Sequence, residues 1–270
     1  MTPEADNSNI YISHNTISNR RMFTGIHFHN SYEIYYLIDG DTNYFIGDEI
    51  FHIHPGSVVF IPKGVLHKTD SEECLTNERF LININDSVPD DDIKRILDAL
   101  CEERVVYIPG NEISFFNDLI FKIESEYDSG GKFRLALMRS YISELLILIL
   151  RKKIKYAPHL TEAEKVIKNV SGYISENFGE ELTLKSLSKR FAMSESYLSR
   201  KFKTVCGIGL NEYITYVRIT KAESILKNEA ASITDVASRC GFNDSNYFSS
   251  VFKKLKGITP LKYSAMYREK

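Results

Sequence analysis

The chain has 270 residues, of which 43% are hydrophobic and 26% are charged, and its formal net charge is −2. This composition excludes a disordered chain, a collagen-like chain and a disulfide-stabilised miniprotein, and the length favours about two domains. The charge is unevenly distributed: residues 1–158 hold 16 basic and 24 acidic residues, whereas residues 159–270 hold 18 and 12. An acidic half followed by a basic half predicts two domains with different partners, and the basic half is a candidate for nucleic-acid binding.

Cellular location is predicted from the terminus, the apolar runs and the cysteines. The first ten residues contain two acids and no apolar core, which is not typical of a signal peptide. The most apolar run, residues 145–150, is far shorter than the roughly 20 residues of a membrane span. The four cysteines have no paired CxxC spacing and are predicted to be reduced thiols. We therefore expect a cytoplasmic protein without membrane contact.

Short strands are predicted from about residue 10 to residue 88. Aromatic and β-branched runs alternate with turn signals such as Asp39-Gly40-Asp41, Gly47-Asp48 and Pro55-Gly56. Turns at intervals of 6–12 residues favour a small barrel or sandwich.

Helical spacing replaces this pattern over about residues 90–155. Residues 115–127 and 133–153 are predicted as two helices on either side of Ser129-Gly130-Gly131, and residues 105–108 as a possible return to the sheet. The second helix is apolar nearly all round towards its C-terminal end, more than one core-facing stripe requires. It is either a core helix of this domain or in part a dimer seam. Residues 151–158 close the first domain as a basic segment broken by Pro158, and the linker between the domains is expected at residues 157–165.

The C-terminal part, residues 166–270, contains an internal near-repeat at a spacing of 49 residues. Its two copies span about residues 182–204 and 232–256, and each reads as two helices around a short turn. Thr183 and Ser194 are predicted helix caps in the first copy, and Asn243 or Asp244 in the second. A long helix over residues 211–227 is expected to fix the distance between the copies.

The second helix of a helix-turn-helix unit enters the DNA major groove and needs a polar outer face. When the periodic apolar residues point inward, nine side chains point outward, and these are the candidate DNA-binding residues: Ser196, Ser199, Arg200, Lys203, Ser245, Asn246, Ser249, Ser250 and Lys253. Arginine pairs with guanine, asparagine pairs with adenine, serine binds base or phosphate, and lysine binds phosphate. Lys254 and Lys256 are further phosphate candidates.

At these residues the chain resembles the AraC/XylS family of bacterial transcription regulators, over about residues 182–263. The segment 194–203 resembles the family's first recognition helix, and the stretch from Gly241-Phe242 through Tyr247-Phe248 to Tyr263 resembles its signature. The second helix departs from the pattern because it has no outward arginine at Ser249 or Ser250.

The N-terminal half resembles the family's cupin-type sensor barrel, carried by His27-Phe28-His29, Glu33, Gly40, a second piece with Gly56, Pro62 and Gly64, and His67. The resemblance implies a ligand site inside the barrel, and the candidate ligand-binding residues are His27, His29, Glu33, Tyr35, Tyr44, Phe60 and His67. Three histidines and a glutamate also have the chemistry of a metal site, as in cupin enzymes. An organic ligand pocket, a metal site and a filled structural core all remain open, with the organic pocket preferred and no metal or cofactor expected.

The sequence thus predicts an α+β protein of two domains. Residues 1–156 form a small cupin-like β-barrel with a helical dimerisation segment, and the C-terminal domain is an all-α double helix-turn-helix domain. The expected function is sequence-specific regulation of transcription, not catalysis, under control of a small molecule such as a sugar. The expected partners are promoter DNA, a small-molecule effector, a second copy of the chain and RNA polymerase. The alternatives are a metal-dependent cupin enzyme fused to a DNA-binding module and a constitutive DNA-binding dimer.

Overall fold

The structure is a computed structural model that describes residues 10–18, 22–23, 27–71, 76–85, 88–155 and 160–268. The chain divides into two compact units, Met1–His159 and Leu160–Lys270. Cys74 and residues 157–159 of the expected linker lie outside the described residues.

The described N-terminal unit contains two antiparallel sheets. Its strands are β1 (Ile10–Ser18), β2 (Met22–Phe23), β3 (Tyr32–Asp39), β4 (Thr42–Ile46), β5 (Glu49–Ile53), β6 (Ser57–Ile61), β7 (His67–Ser71), β8 (Thr76–Ile84), β9 (Val105–Tyr107) and β10 (Ile154–Lys155). One sheet has the order β1-β8-β3-β6-β9-β10 and the other has the order β2-β7-β4-β5. Together they form the predicted cupin-like barrel, and β9 returns to the sheet as the sequence suggested.

Strand β3 has buried residues on both faces, because the barrel interior lies on one side and helices lie on the other. Tyr35 and Leu37 belong to the core inside the barrel, whereas Ile34 and Tyr36 belong to the core beneath the helices. This alternation follows from the two-residue period of a strand. It decides which polar side chains of β3 reach the interior.

Three helices follow the barrel strands: α1 (Asp91–Glu103), α2 (Ile113–Ser129) and α3 (Arg134–Lys152). The predicted helices at 115–127 and 133–153 are confirmed, and α3 packs Met138, Ile142 and Leu145 into the core against the larger sheet. Among the described residues, no helix has both the length and the apolar character needed to cross a membrane.

The described C-terminal unit is entirely helical. Its helices are α4 (Glu162–Glu176), α5 (Leu184–Arg190), α6 (Glu195–Cys206), α7 (Leu210–Asn228), α8 (Ile233–Arg239), α9 (Ser245–Lys256) and α10 (Pro260–Arg268). Helix α4 begins at Glu162, inside the stretch expected as linker, because Thr161 and Glu164 form a capping box there. The pairs α5–α6 and α8–α9 are the two helix-turn-helix units, and α7 connects them.

The capping residues predicted from the sequence are confirmed. Thr183 accepts a hydrogen bond from the Ser186 amide and Ser194 accepts one from the Tyr197 amide. In the second unit the cap is Asp244, which accepts from the amides of residues 246 and 247. These bonds satisfy backbone donors that a helix start leaves without partners, so they fix where α5, α6 and α9 begin.

Arg218 on α7 forms two hydrogen bonds with the backbone between α4 and α5. Its Nε donates to the Phe178 carbonyl oxygen at 2.9 Å and its Nη2 donates to the Glu180 carbonyl oxygen at 2.8 Å. These bonds give Arg218 a structural role. The guanidinium ties α7 to the loop that precedes the first helix-turn-helix unit.

Candidate DNA-binding surface and ligand site

Helix α6 presents a polar face to solvent because its apolar residues are buried in the core. Leu198, Phe202 and Cys206 are buried, and the Phe202 ring packs edge-on against Tyr213 of α7 at 5.2 Å between centroids. The four predicted outward residues are all exposed: Ser196, Ser199, Arg200 and Lys203. The structure therefore gathers the first candidate set on one accessible helix face.

Helix α9 repeats this arrangement with a less open face. Phe248 and Phe252 are fully buried with their rings tilted against each other, and the Phe252 ring packs edge-on against Tyr263 of α10. Among the predicted residues Asn246, Ser250 and Lys253 are exposed, whereas Ser245 and Ser249 are half-buried. Among these predicted residues, Lys253 has the longest exposed side chain.

Lys256 does not belong to this surface, which corrects the expectation that it contacts phosphate. Its side chain is 8% exposed and its ammonium forms an ion pair with Glu223 of α7. Lys254 is exposed. The basic run at the end of α9 therefore divides into outward cations and one internal ion pair.

Two tyrosines of the recognition helices were not predicted as functional residues. Tyr197 and Tyr247 occupy the same position in their helices, two residues after the first helical residue, and both are exposed. An exposed aromatic ring recurs on the otherwise polar outer face of both helices, and this repetition is the sequence signal that could have identified the two tyrosines. Their hydroxyl groups are further candidates for phosphate contacts.

In the N-terminal unit, four predicted ligand residues meet in one place. His27 forms an isolated bridge with His67, in which each amide donates to the other's carbonyl oxygen at 3.0–3.1 Å. His29 and Glu33 lie close by, and the donor atoms of all four side chains fall within 4.8 Å of one another. This group is called the His–Glu cluster below.

Glu33 is the buried anion of this cluster. One carboxylate oxygen contacts His29 Nε2 at 2.9 Å, and the other accepts a hydrogen bond from the Tyr44 hydroxyl at 3.1 Å. Burial alone would raise its pKa, but the His29 and Tyr44 hydrogen bonds and the nearby imidazoles lower it to about 2. Glu33 therefore carries a negative charge at neutral pH.

His67 is the neutral base of the cluster. Its Nδ1 contacts the Val65 carbonyl oxygen at 2.8 Å, so the hydrogen of the ring lies on Nδ1. Burial lowers its pKa to about 4, against the opposing attraction of Glu33. The other ring nitrogen, Nε2, faces the cluster, and it is consequently unprotonated and carries a lone pair.

Tyr35 and Tyr44 line the barrel interior as predicted, with their rings edge to face at 5.2 Å. Phe60 is a correction: it lies on the opposite face of β6 and packs in the core beneath the helices. Glu33 pairs with Ile61 and Tyr35 pairs with Val59, so the interior face of β6 belongs to those two residues. Phe60 cannot contact a ligand inside the barrel.

Arg79 is an interior residue that the sequence analysis missed. It alternates along β8 with the core residues Phe80 and Ile82, and its guanidinium lies 5.7 Å from the Tyr35 ring centroid. Its charge opposes the burial that raises the pKa of Tyr35 to about 12. The sequence signal for this position was the alternation of polar and apolar residues along β8, which places Arg79 on the side facing the barrel interior.

Comparison with known proteins identifies both domains. Residues 9–104 match the family profile described as an AraC-like ligand binding domain, and residues 187–266 match the one described as a helix-turn-helix domain. The transcriptional activator RhaR of Mannheimia succiniciproducens is 26% identical over 254 residues, which cover 91% of this chain and 88% of that protein. The transcriptional activator RhaS of Klebsiella pneumoniae is 24% identical over 238 residues, covering 84% and 83%.

One solved structure matches part of the chain. The C-terminal domain of AraT, a response regulator from Geobacillus stearothermophilus, is 31% identical and covers 39% of this chain and 88% of that chain, with a TM-score of 0.38. The two matched family profiles define the class of protein as a DNA-binding transcription regulator with an N-terminal ligand-binding domain. The chain belongs to the AraC family.

Proposed function

We propose that the protein regulates transcription by reading DNA with α6 and α9, and that a small polar molecule in the barrel controls this activity. The observation that carries the proposal is the pair of capped helices whose inner faces are buried and whose outer faces are polar. Relatives that cover more than four-fifths of the chain are named transcriptional activators. Activation requires contact with RNA polymerase, which we propose as a further partner.

The two recognition helices are proposed to contribute differently. Helix α6 carries Arg200, the one outward arginine among the nine candidate residues, and a bidentate arginine discriminates guanine strongly. Helix α9 presents Asn246 and serines beside Lys253. We propose that α6 supplies most of the base reading, and that α9 adds an adenine contact and grips phosphate.

Lys253→Ala is expected to weaken binding to all DNA sequences by a similar factor, because a lysine on phosphate reads no base. The slope of log affinity against log salt concentration should decrease by about 1. Fluorescence anisotropy on a specific and an unrelated duplex over a salt series measures both quantities. Lys262→Ala on α10, also exposed, is the control. A loss confined to one sequence would assign Lys253 to a base instead.

The barrel interior is proposed to bind a sugar or a related polar metabolite. Within the described residues the interior brings together a carboxylate at Glu33, phenols at Tyr35 and Tyr44, imidazoles and the guanidinium of Arg79. Such a mixture of donors and acceptors suits hydroxyl groups, and Arg79 adds a site for a carboxylate.

Effector action is proposed to be a population shift, in which the ligand binds one state of the protein better and so changes its DNA affinity. Thermal melting of the full-length protein with a panel of monosaccharides and sugar acids tests for binding. A compound that raises the melting temperature is expected to change DNA affinity as well. Tight barrel binding with unchanged DNA affinity would refute the control mechanism.

A homodimer through α3 is proposed from its unburied apolar residues. Leu137, Tyr141 and Leu148 recur at spacings of four and seven and are exposed or half-buried. Tyr141 shares a shallow surface groove with Phe121 of α2, whose ring is 53% exposed. These four residues form an apolar stripe that a second copy of the chain would cover.

Leu137→Glu is expected to shift the protein towards monomer, because it places a charge within this stripe. Leu150→Glu is a matched control, since Leu150 is exposed to a similar extent on the same helix but about 140° away around the axis. Sedimentation velocity over a concentration series measures the change. Equal effects of the two substitutions would argue against the stripe as the interface.

Selection of DNA from a random duplex library by the full-length protein, at two salt concentrations, tests the proposed function. The expected result is a motif of two blocks about one helical turn apart, with affinity that falls steeply in salt. Recovery of unrelated sequences alone, both with and without compounds that bind the barrel, would contradict sequence-specific regulation.

A further inference from the structure

We propose that the segment of residues 173–180 fixes the relative position of α6 and α9, and so sets the spacing between two DNA blocks that the protein accepts. This segment, called the bridge below, comprises the last turn of α4 and the loop before α5. The inference rests on the proposed function in one respect, that α6 and α9 both contact DNA. It adds positioning residues that lie outside both recognition helices.

Helix α7 is the covalent connection between the two helix-turn-helix units, and it packs on the core of each. Tyr213 lies against Phe202 of the first unit, whereas Ile219 and Ala222 belong to the core of the second. One helix in contact with both cores sets the distance between them. A contact that joins the units at a second point, away from α7, also resists rotation of one unit against the other.

The bridge contacts the first unit through Tyr173. The Tyr173 ring lies edge-on to the Phe191 ring at 6.0 Å between centroids, and the Arg190 guanidinium lies 4.0 Å from the Tyr173 ring centroid. Both partners lie at the C-terminal end of α5, where the first turn begins. Edge-to-face ring pairs and cations over aromatic rings are both favourable, so these contacts hold the end of α4 to the first unit.

A few residues further on, the bridge contacts the second unit. The Phe178 side chain packs against the buried core that α7, α8 and α9 share. A Cβ at Gly179 would lie 2.7 Å from the Arg239 carbonyl oxygen at the end of α8, and a Cβ at Gly241 would lie 2.9 Å from the Phe178 carbonyl oxygen. The absence of a side chain at these two glycines lets the bridge and the second turn approach backbone to backbone.

Arg218 fastens the bridge to α7 beside these contacts. Its two hydrogen bonds end on the carbonyl oxygens of Phe178 and Glu180, on either side of Gly179. The guanidinium also lies 5.9 Å from the ring centroid of Phe242 in the second turn. The bridge, α7 and the second turn therefore meet at one side chain, whereas Tyr173 holds the other end of the bridge to the first unit.

The geometry of the duplex gives this arrangement a consequence for recognition. One base pair inserted between two blocks moves the second block by about 3.4 Å and rotates it by about 35°. Two helices held rigidly cannot follow this change, so only one unit keeps its contacts. Joining two binding modules raises affinity by about 10²–10⁴, and this gain is lost when geometry forbids simultaneous engagement. A bridge that fixes the two units thus makes affinity depend steeply on block spacing.

The test measures the affinity of full-length protein for the two-block duplex recovered by selection, and for duplexes with one or two base pairs added or removed between the blocks. We expect the wild type to lose about tenfold or more at each altered spacing. Gly179→Ala places a methyl group against the Arg239 carbonyl oxygen. This variant is expected to reduce the loss to about threefold or less, or to move the optimum to another spacing.

Gly172→Ala is the matched control, because Gly172 lies on α4 and an added Cβ there meets nothing within 4 Å. It should keep the wild-type spacing profile. Circular dichroism and the melting temperature establish that each variant is folded. Arg218→Met, which removes both hydrogen bonds to the bridge, takes the place of Gly179→Ala if that variant unfolds. The spacing profile of the wild type tests the inference without any variant.

Affinity for a duplex with a single block separates positioning from general damage, because loss of positioning should leave that affinity unchanged. A loss on the single block as large as on the two-block duplex would give these residues a structural role only and overturn the inference. An unchanged spacing profile in the folded variants, or a wild type that binds every spacing equally well, would overturn it and leave the proposed function standing. A wild type that does not distinguish the selected duplex from unrelated DNA would refute the proposed function, and this inference with it.

Discussion

Replacing Gly241 with alanine is expected to lower the free energy of unfolding of the C-terminal domain by about 3 kcal/mol. Gly241 lies in the turn of the second helix-turn-helix unit at φ +76°, where residues with a Cβ are strained by about 1 kcal/mol. An alanine Cβ would also lie 2.7 Å from Arg218 Nη2 and 2.9 Å from the Phe178 carbonyl oxygen. The added methyl group therefore displaces the guanidinium, and hydrogen bonds from a charged donor contribute about 1.5–3 kcal/mol.

Gly257→Ala separates the two causes. Gly257 has nearly the same backbone angle, φ +77°, but an added Cβ there meets nothing within 4 Å. We expect it to cost about 1 kcal/mol. Scanning calorimetry of the full-length variants measures the C-terminal transition. Equal losses for the two substitutions would show that the Arg218 contact contributes nothing to the stability of the turn.

Arg200→Ala is expected to weaken binding to the selected DNA by about 10- to 100-fold, which corresponds to about 1–3 kcal/mol. Arg200 is exposed on α6 and its removal leaves the buried Leu198 and Phe202 untouched, so the fold should be unchanged. Because the arginine is proposed to read a base, the variant should tolerate any base pair at one position of the motif.

The measurement is the affinity of wild type and variant for duplexes that carry each base at every position of the motif. Lys262→Ala, which also removes one exposed positive charge from this domain, is the control and should not relax any position. A uniform loss across all duplexes would assign Arg200 to phosphate.

The helical domain could be predicted closely because its signals are local. Caps at Thr183 and Ser194, the apolar spacing of each helix and the glycine at 241 are all visible within a few residues of sequence. The first turn has Ala192 at φ +52° where the second has Gly241, so the same backbone geometry is built with and without glycine. Residue type alone does not reveal that equivalence; the 49-residue repeat does.

The errors arose where a side chain's direction depends on distant partners. Strand β6 is apolar from Val58 to Ile61 and buried on both faces, so its sequence has no alternation that could show which way Phe60 points. Lys256 looked like one more surface cation, but the long side chain reaches Glu223, 33 residues earlier in the chain. The directions of both side chains are determined by tertiary packing.

The His–Glu cluster could be predicted only in part. The sequence contained the four residue types, and the resemblance to a cupin barrel suggested that they meet. Their actual separation depends on the bridge between His27 and His67, which pairs residues 40 positions apart. The orphaned Nε2 of His67 depends further on its bond to the Val65 carbonyl oxygen. These contacts set the geometry of the cluster, and no sequence pattern encodes them.

The central claim is that both helix-turn-helix units of one chain contact DNA. Hydroxyl-radical footprinting of the full-length protein on its selected sequence tests it most directly. The account predicts protected patches in pairs, about one helical turn or roughly 34 Å apart, on the same face of the duplex. Isolated patches without a partner one turn away would contradict it, because they would leave α9 without a DNA contact.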